Sequence, residues 1–147
     1  MFRILKKDSP WAPFQHKTFR LREGENIDNA PSGHWPTPLV DEEPSADRGP
    51  VMITIEYQVS QENRQQFKAL MQQLRLVRKR DGAFFWSLFS DVEDANRIVE
   101  TFMTESWLEH LRQHERITNS DRILQEKIAD LCDAKRPPVV SHYVATE

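Results

Sequence analysis

A single cysteine, Cys132, stands among 147 residues, so no intrachain disulfide can form and nothing points to an oxidising compartment. A cytoplasmic location fits that usage best. No stretch approaches the roughly 18 to 20 consecutive apolar residues of a membrane span, and Met1 to Lys7 lacks the apolar core of a signal peptide; the chain as given is expected to be soluble. The four glycines are scattered, which leaves no glycine-rich phosphate loop. A surplus of positive charge is missing as well. Twenty Lys and Arg against 23 Asp and Glu give a net charge of -3, which argues against a nucleic-acid binder working by counterion release. What is present, 38% hydrophobic residues, suffices for one core and gives no reason to expect two.

The prolines are unevenly placed. Pro10, Pro13, Pro31, Pro36, Pro38, Pro44 and Pro50 lie in the first 50 residues, with three of the four glycines and no sustained apolar periodicity. Residues 1–50 therefore read as an arm, its apolar residues gathered around Trp11, Phe14, Phe19 and Leu21 and then Trp35, expected to lie across the domain or a neighbour. Asp41 to Asp47 reads as a flexible linker. Residues 51–147 read as the folded domain.

From Val51, period-two alternation through Ile53, Ile55, Tyr57 and Val59 predicts a strand. Ser60 is expected to cap a helix carrying Phe67, Leu70, Met71, Leu74 and Val77 and ending near Asp81 and Gly82. Ala83 to Phe89 and Arg97 to Met103 read as a hairpin around the turn-rich Asp91 to Asn96. Ser106 begins a second helical region with Trp107, Leu108 and Leu111. A further turn or helix bears Ile117, Ile123, Leu124, Ile128 and Leu131, and Pro137 and Pro138 stop it. Val139 to Ala145 is the last strand. This order is the ferredoxin-like βαββαβ arrangement of the α+β class, with helices on one sheet face. The other face then needs a cover, and homodimerisation supplies one. Phe84, Trp86 and Leu88, or their opposite-face neighbours Phe85 and Phe89, are the expected interface.

Several constellations bear on chemistry. His110 and His114 share one helical face, but Leu111 stands where a zinc protease has its Glu and no third ligand appears at a characteristic spacing, so no metal site is expected. Trp107 and His114 are the catalytic candidates: an aromatic wall and a titratable group on one face. The bland reading of the pair, a core Trp and a capping His, is the stronger. Glu56, Thr54, Glu100 and Thr101 are polar positions within strands, and an interior carboxylate among them would be a site candidate. A ligand pocket, if present, would draw on Glu56, Trp86, Glu100, Trp107 and His114. Arg75, Arg78, Lys79 and Arg80 read as favourable charge at a helix C-terminus, with anionic lipid headgroups as the alternative partner. Cys132, alone near a helix end, gives no support to Cys/His catalysis.

Gly49-Pro50-Val51 running into Ile55-Glu56-Tyr57, the run Arg78 to Ala83, and above all Glu100-Thr101-Phe102 through Trp107-Leu108-Glu109-His110-Leu111-Arg112-Gln113-His114-Glu115-Arg116 resemble the soluble C-terminal domain of major facilitator exporters of the transmembrane secretion effector group, related to enterobactin exporters. Ser32 to Pro36 resembles the motif connecting the membrane part to that tail. The domain is also similar to antibiotic biosynthesis monooxygenases, dimeric α+β barrels that oxidise polyketides without metal or flavin, and to haem-degrading relatives. Trp107 and His114 match their helical Trp and downstream His, whereas Met103, Thr104 and Glu105 occupy the stretch where they carry an asparagine. The resemblance implies a non-catalytic cytoplasmic interaction or ligand-sensing domain at the inner face of a membrane, joined to a transporter portion. It would need no cofactor, and a small hydrophobic ligand is conceivable. The rival functions are a cofactor-independent monooxygenase of small aromatic or polyketide-like substrates and haem binding through His114 or His142.

Overall fold

The alternation that begins at Val51 is realised as a strand whose odd-numbered side chains are buried and whose even-numbered ones are partly exposed. In a computed structural model that describes residues 40–146, this strand, β1 (Val51–Gln58), is followed by α1 (Arg64–Arg80), β2 (Phe85–Ser90), β3 (Arg97–Thr104), α2 (Trp107–Arg116), α3 (Asn119–Asp130) and β4 (Val139–Val144). The strands form one antiparallel sheet in the order β2-β3-β1-β4, the ferredoxin-like order with the first strand central. The second helical region is two helices, because Ile117 takes an extended backbone before Thr118 starts a capping box with Asp121.

One expectation about α1 changes and one holds. Helix α1 starts at Arg64 behind Asn63, not at Ser60, whose carbonyl instead accepts from the Asn63 amide in the preceding turn. The end of α1 is as expected: Gly82 has φ 114, a left-handed conformation that only glycine adopts without cost.

The helix-side face of the sheet carries the core. Strand register aligns Trp86, Phe102, Ile53 and His142 in one row, and Leu88, Glu100, Ile55 and Val140 in the next. Phe67, Met71 and Leu74 from α1 and Ile128 from α3 close over them. On the opposite face the rows read Phe85, Met103, Met52, Tyr143, then Ser87, Thr101, Thr54, Ser141, then Phe89, Val99, Glu56, Val139. Two largely apolar rows thus flank a row of four hydroxyls. Phe85, Phe89, Val139 and Tyr143 are exposed.

The stretch read as a flexible linker is docked on the domain. The arm's other residues and its aromatic clusters lie outside the described residues. The first amides of a helix have no partners within it, and here the Arg48 carbonyl accepts from Trp107 N–H at 2.8 Å and the Ala46 carbonyl from Leu108 N–H at 3.0 Å. The Ser106 hydroxyl accepts from Glu109 N–H. The Arg48 guanidinium also donates to the Ala145 carbonyl at 3.0 Å, and the Ala145 amide donates to the Pro50 carbonyl. This approach leaves no room at Gly49, where a Cβ would sit 2.0 Å from the Glu105 carbonyl oxygen and within 2.9 Å of the Ser106 Cα. Both obstacles are backbone, so Gly49→Ala must push the strap off α2. The expected loss is about 2 kcal/mol, the scale of overpacking plus two strained hydrogen bonds, measured by urea denaturation; an unchanged midpoint would show that the strap does not sit as described.

Candidate functional site

Two polar clusters lie between the sheet and the helices. The first is built on Glu100, which strand parity places on the helix side of β3 and which is fully buried. Arg78, on the last turn of α1, donates from Nε to Glu100 Oε1 at 2.9 Å. The indole Nε1 of Trp86 donates to the same oxygen at 3.0 Å, and the Tyr57 hydroxyl donates to Oε2 at 2.9 Å. The Arg78 guanidinium also lies over the Phe102 ring, 4.5 Å from its centre. Burial and the Glu100 charge together hold the Tyr57 hydroxyl well above its usual pKa. Burial would weaken the Arg78 charge, but Glu100 more than offsets this and the pKa rises. A buried carboxylate with donors on both oxygens is a satisfied ion cluster.

The second cluster is built on α2. His110 and His114, four residues apart, meet edge-on on one face, their rings at 89° and their Nε2 atoms hydrogen-bonded at 3.1 Å. From the other side β4 brings His142, whose position opposite Ile53 points it at the helices. The ring centres of His110 and His142 are 4.8 Å apart. Trp107 packs at 5.4 Å from His110 and edge-on at 6.2 Å from His142. Burial, then the neighbouring imidazoles, push His110 down to about 3. Burial, then His142 and Arg78, push His114 down to about 4, and burial also lowers His142. All three rings are therefore neutral at neutral pH.

The five residues proposed to line one pocket are divided. Trp86 and Glu100 belong to the first cluster, and Trp107 and His114 to the second. Glu56 lies on the opposite sheet face, ion-paired with Arg97, because residues of even number in β1 point away from the helices; Thr54 and Thr101 share that face. A groove of about 280 Å³ lies at the far end of β1, lined in part by Gln58, Ser60, Asn63, Cys132, Asp133 and Arg136, and none of the five reaches it. Burial lifts the Cys132 thiol there to about 11, which disfavours a nucleophilic thiolate. Trp86 and Leu88 are likewise on the helix side and pack on the core. Of the residues expected at a dimer interface, Phe85 and Phe89 therefore occupy the open face, and Phe84 is exposed just before β2.

The basic end of α1 is divided, with Arg75, Lys79 and Arg80 exposed and Arg78 turned inward. Arg78 is buried in the first cluster. Arg80 donates to Asp81 at 2.7 Å and to Asp121 at 2.6 Å, tying the end of α1 to the start of α3. Sequence reasoning missed Arg78 and Tyr57 as partners of Glu100, and His142 as a neighbour of His110 and His114. Only the strand register, which places Glu100 against Leu88 and Ile55 and His142 against Ile53, carries that information.

Among the described residues no helix is long and apolar enough to cross a membrane. No curated protein matches the chain. In fold it is similar to a Caulobacter crescentus protein grouped by name with the antibiotic biosynthesis monooxygenases, at 12% identity and TM-score 0.58, covering 69% of this chain and 94% of that one. It is also similar to SnoaB, a cofactor-independent oxygenase from Streptomyces nogalater, at 13% identity and TM-score 0.56 over 69% and 96% of the two chains. A conserved protein from Methanosarcina mazei aligns at 16% identity and TM-score 0.55, over 64% of this chain and 90% of that one. At these identities the likeness is one of fold. The model of one sequence family, described as transmembrane secretion effector, matches residues 9–147, spanning both the proline-rich segment and the ferredoxin-like domain, and the chain belongs to that family.

Proposed function

We propose that this chain is a non-catalytic interaction or ligand-sensing domain of a transmembrane secretion effector, acting as a homodimer on the cytoplasmic side of a membrane. The observation that carries the reading is the engagement of Glu100 by other side chains. Glu100, the carboxylate best placed to act on a substrate, has its two oxygens engaged by Arg78, Trp86 and Tyr57. Phe102, Met71 and Leu74 occupy the surrounding space. An oxygenase needs an apolar chamber with a few convergent polar groups. The open sheet face supports assembly instead: two apolar rows bounding a hydroxyl row can meet a second copy of themselves across a twofold axis.

Sedimentation of the full chain tests assembly, and oxygen uptake in the presence of an anthrone-type aromatic substrate tests catalysis. The wild type is expected to sediment as a dimer, Phe85→Glu/Phe89→Glu as a monomer, and oxygen uptake to stay at the buffer rate. Catalysed oxidation that vanishes in His114→Gln would replace this reading with the monooxygenase. A wild-type monomer would remove the homodimer.

A further inference from the structure

We propose that His110, His114 and His142 form a binding site for a divalent transition-metal ion of the Zn²⁺ type, with the fourth coordination position left to water or an anionic ligand. The inference does not depend on the proposed function. One ring nitrogen from each of the three histidines lies within 4.8 Å of the other two. A tetrahedral zinc ion with nitrogen ligands at about 2.0–2.1 Å holds them roughly 3.3 Å from one another. The His110 and His114 Nε2 atoms, 3.1 Å apart, already match one edge of that tetrahedron. His142 has to close by about 1.5 Å to complete the face. It sits on β4, an edge strand of the sheet, where a side-chain rotation disturbs one neighbouring strand instead of two.

A second observation is independent of that spacing. His142 Nε2 is buried with no hydrogen-bond partner among the described residues, beside His110, which is only 1% exposed. A polar atom so placed costs about 1–3 kcal/mol unless something satisfies it, and such atoms call for a physical explanation. An ion held by the cluster supplies one for His142 directly, and orients His110 so that Nδ1 becomes the outward-facing donor that metal-bound imidazoles commonly present to a second partner.

The ligand chemistry is also selective. Three imidazoles without a carboxylate suit Zn²⁺, Cu²⁺, Ni²⁺ or Co²⁺ over Mg²⁺ or Ca²⁺. Because the rings are neutral at neutral pH, the proton held between the His110 and His114 Nε2 atoms need only move to a Nδ1 for both Nε2 atoms to bind. Arg78 is a described cation acting on both His110 and His114, and its charge is balanced by Glu100. Rings converging this closely leave no slot for a porphyrin plane, so the cluster favours a bare ion over haem.

Untagged full-length protein, stripped of metal with a chelator and titrated with Co²⁺ at neutral pH, is expected to develop the visible bands of a tetrahedral ion at one equivalent, and Zn²⁺ to abolish them. His114→Gln and His142→Gln, both at partly exposed positions, are each expected to weaken Zn²⁺ binding by about 100-fold. His16→Gln/His34→Gln, which removes the only other histidines, is expected to leave binding unchanged. In the wild type, free of any folding defect of a variant, imidazole ¹⁵N resonances of His110, His114 and His142 are expected to shift on adding Zn²⁺. Absence of bands and of shifts overturns the proposal, as does equal affinity in the cluster variants or a loss of binding confined to the His16/His34 variant.

Discussion

Glu100→Ala is expected to lower the unfolding free energy by about 3–5 kcal/mol, the scale for removing one member of a fully buried ion pair. The cost has two sources. Arg78, 3% exposed, keeps its charge and loses the acceptor that compensated its burial. The Tyr57 hydroxyl and the Trp86 indole lose theirs at the same time, about 1 kcal/mol or more for each donor left buried. Urea denaturation measures the change. The double variant Glu100→Leu/Arg78→Met removes both charges at similar volume and is expected to recover more than half of the loss, because a buried ion pair exchanged for apolar contacts is often neutral. A single-variant loss below about 1 kcal/mol would mean that water reaches the pair.

Acid is expected to destabilise the metal-free chain from about pH 6.5 downward. His110 and His114 have folded-state pKa values of about 3 and about 4 against an ordinary 6.5. Below pH 6.5 the unfolded chain therefore takes up protons that the folded chain refuses. Linkage then makes stability fall as pH falls, with the contribution fully present above 6.5 and lost on the way down to the folded values. Between pH 6.5 and about 4.5 the two rings together would remove about 4 kcal/mol; allowing for solvent screening at the half-buried His114 reduces this to about 3 kcal/mol. Denaturation at the two pH values tests this, and the difference should shrink in His114→Gln. A stability that stays flat over that interval would show that the imidazoles are wet.

Much of the architecture is written in local patterns. The period-two run from Val51 and the apolar stripe from Phe67 to Val77 each correspond to one observed element, and the stop at Gly82 follows from glycine's freedom at positive φ. The split of the second helical region is local too, since Thr118 and Asp121 are three apart as a capping box requires. The clusters are legible only in part. Glu100 was recognisable as a carboxylate inside a strand, but its face follows from pairing with β1 and β2, and its partners come from 14, 22 and 43 positions away. The spacing of His110 and His114 is a helical signal; the arrival of His142 depends on β4 pairing with β1 at one register. A shift of one residue would turn His142 toward the open face. Arg78 and Arg80 look alike at a helix end, yet one is buried and the other bridges two aspartates, because the 3.6-residue period turns them to different sides.

The seating of the strap has a mechanical consequence. Residues 43–49 run against the start of α2, and the chain then enters β1, which like β3 has a neighbour on each side. Tension arriving from upstream would therefore meet the domain along the axis of an inner strand. The ladders to β3 and β4 lie across that axis and are loaded in shear, so their bonds share the force, where a pull on an edge strand from its side would open them one after another. A polypeptide tugging at this end would strip the strap from α2 first, uncovering the flank of Trp107 while the sheet behind it stays intact.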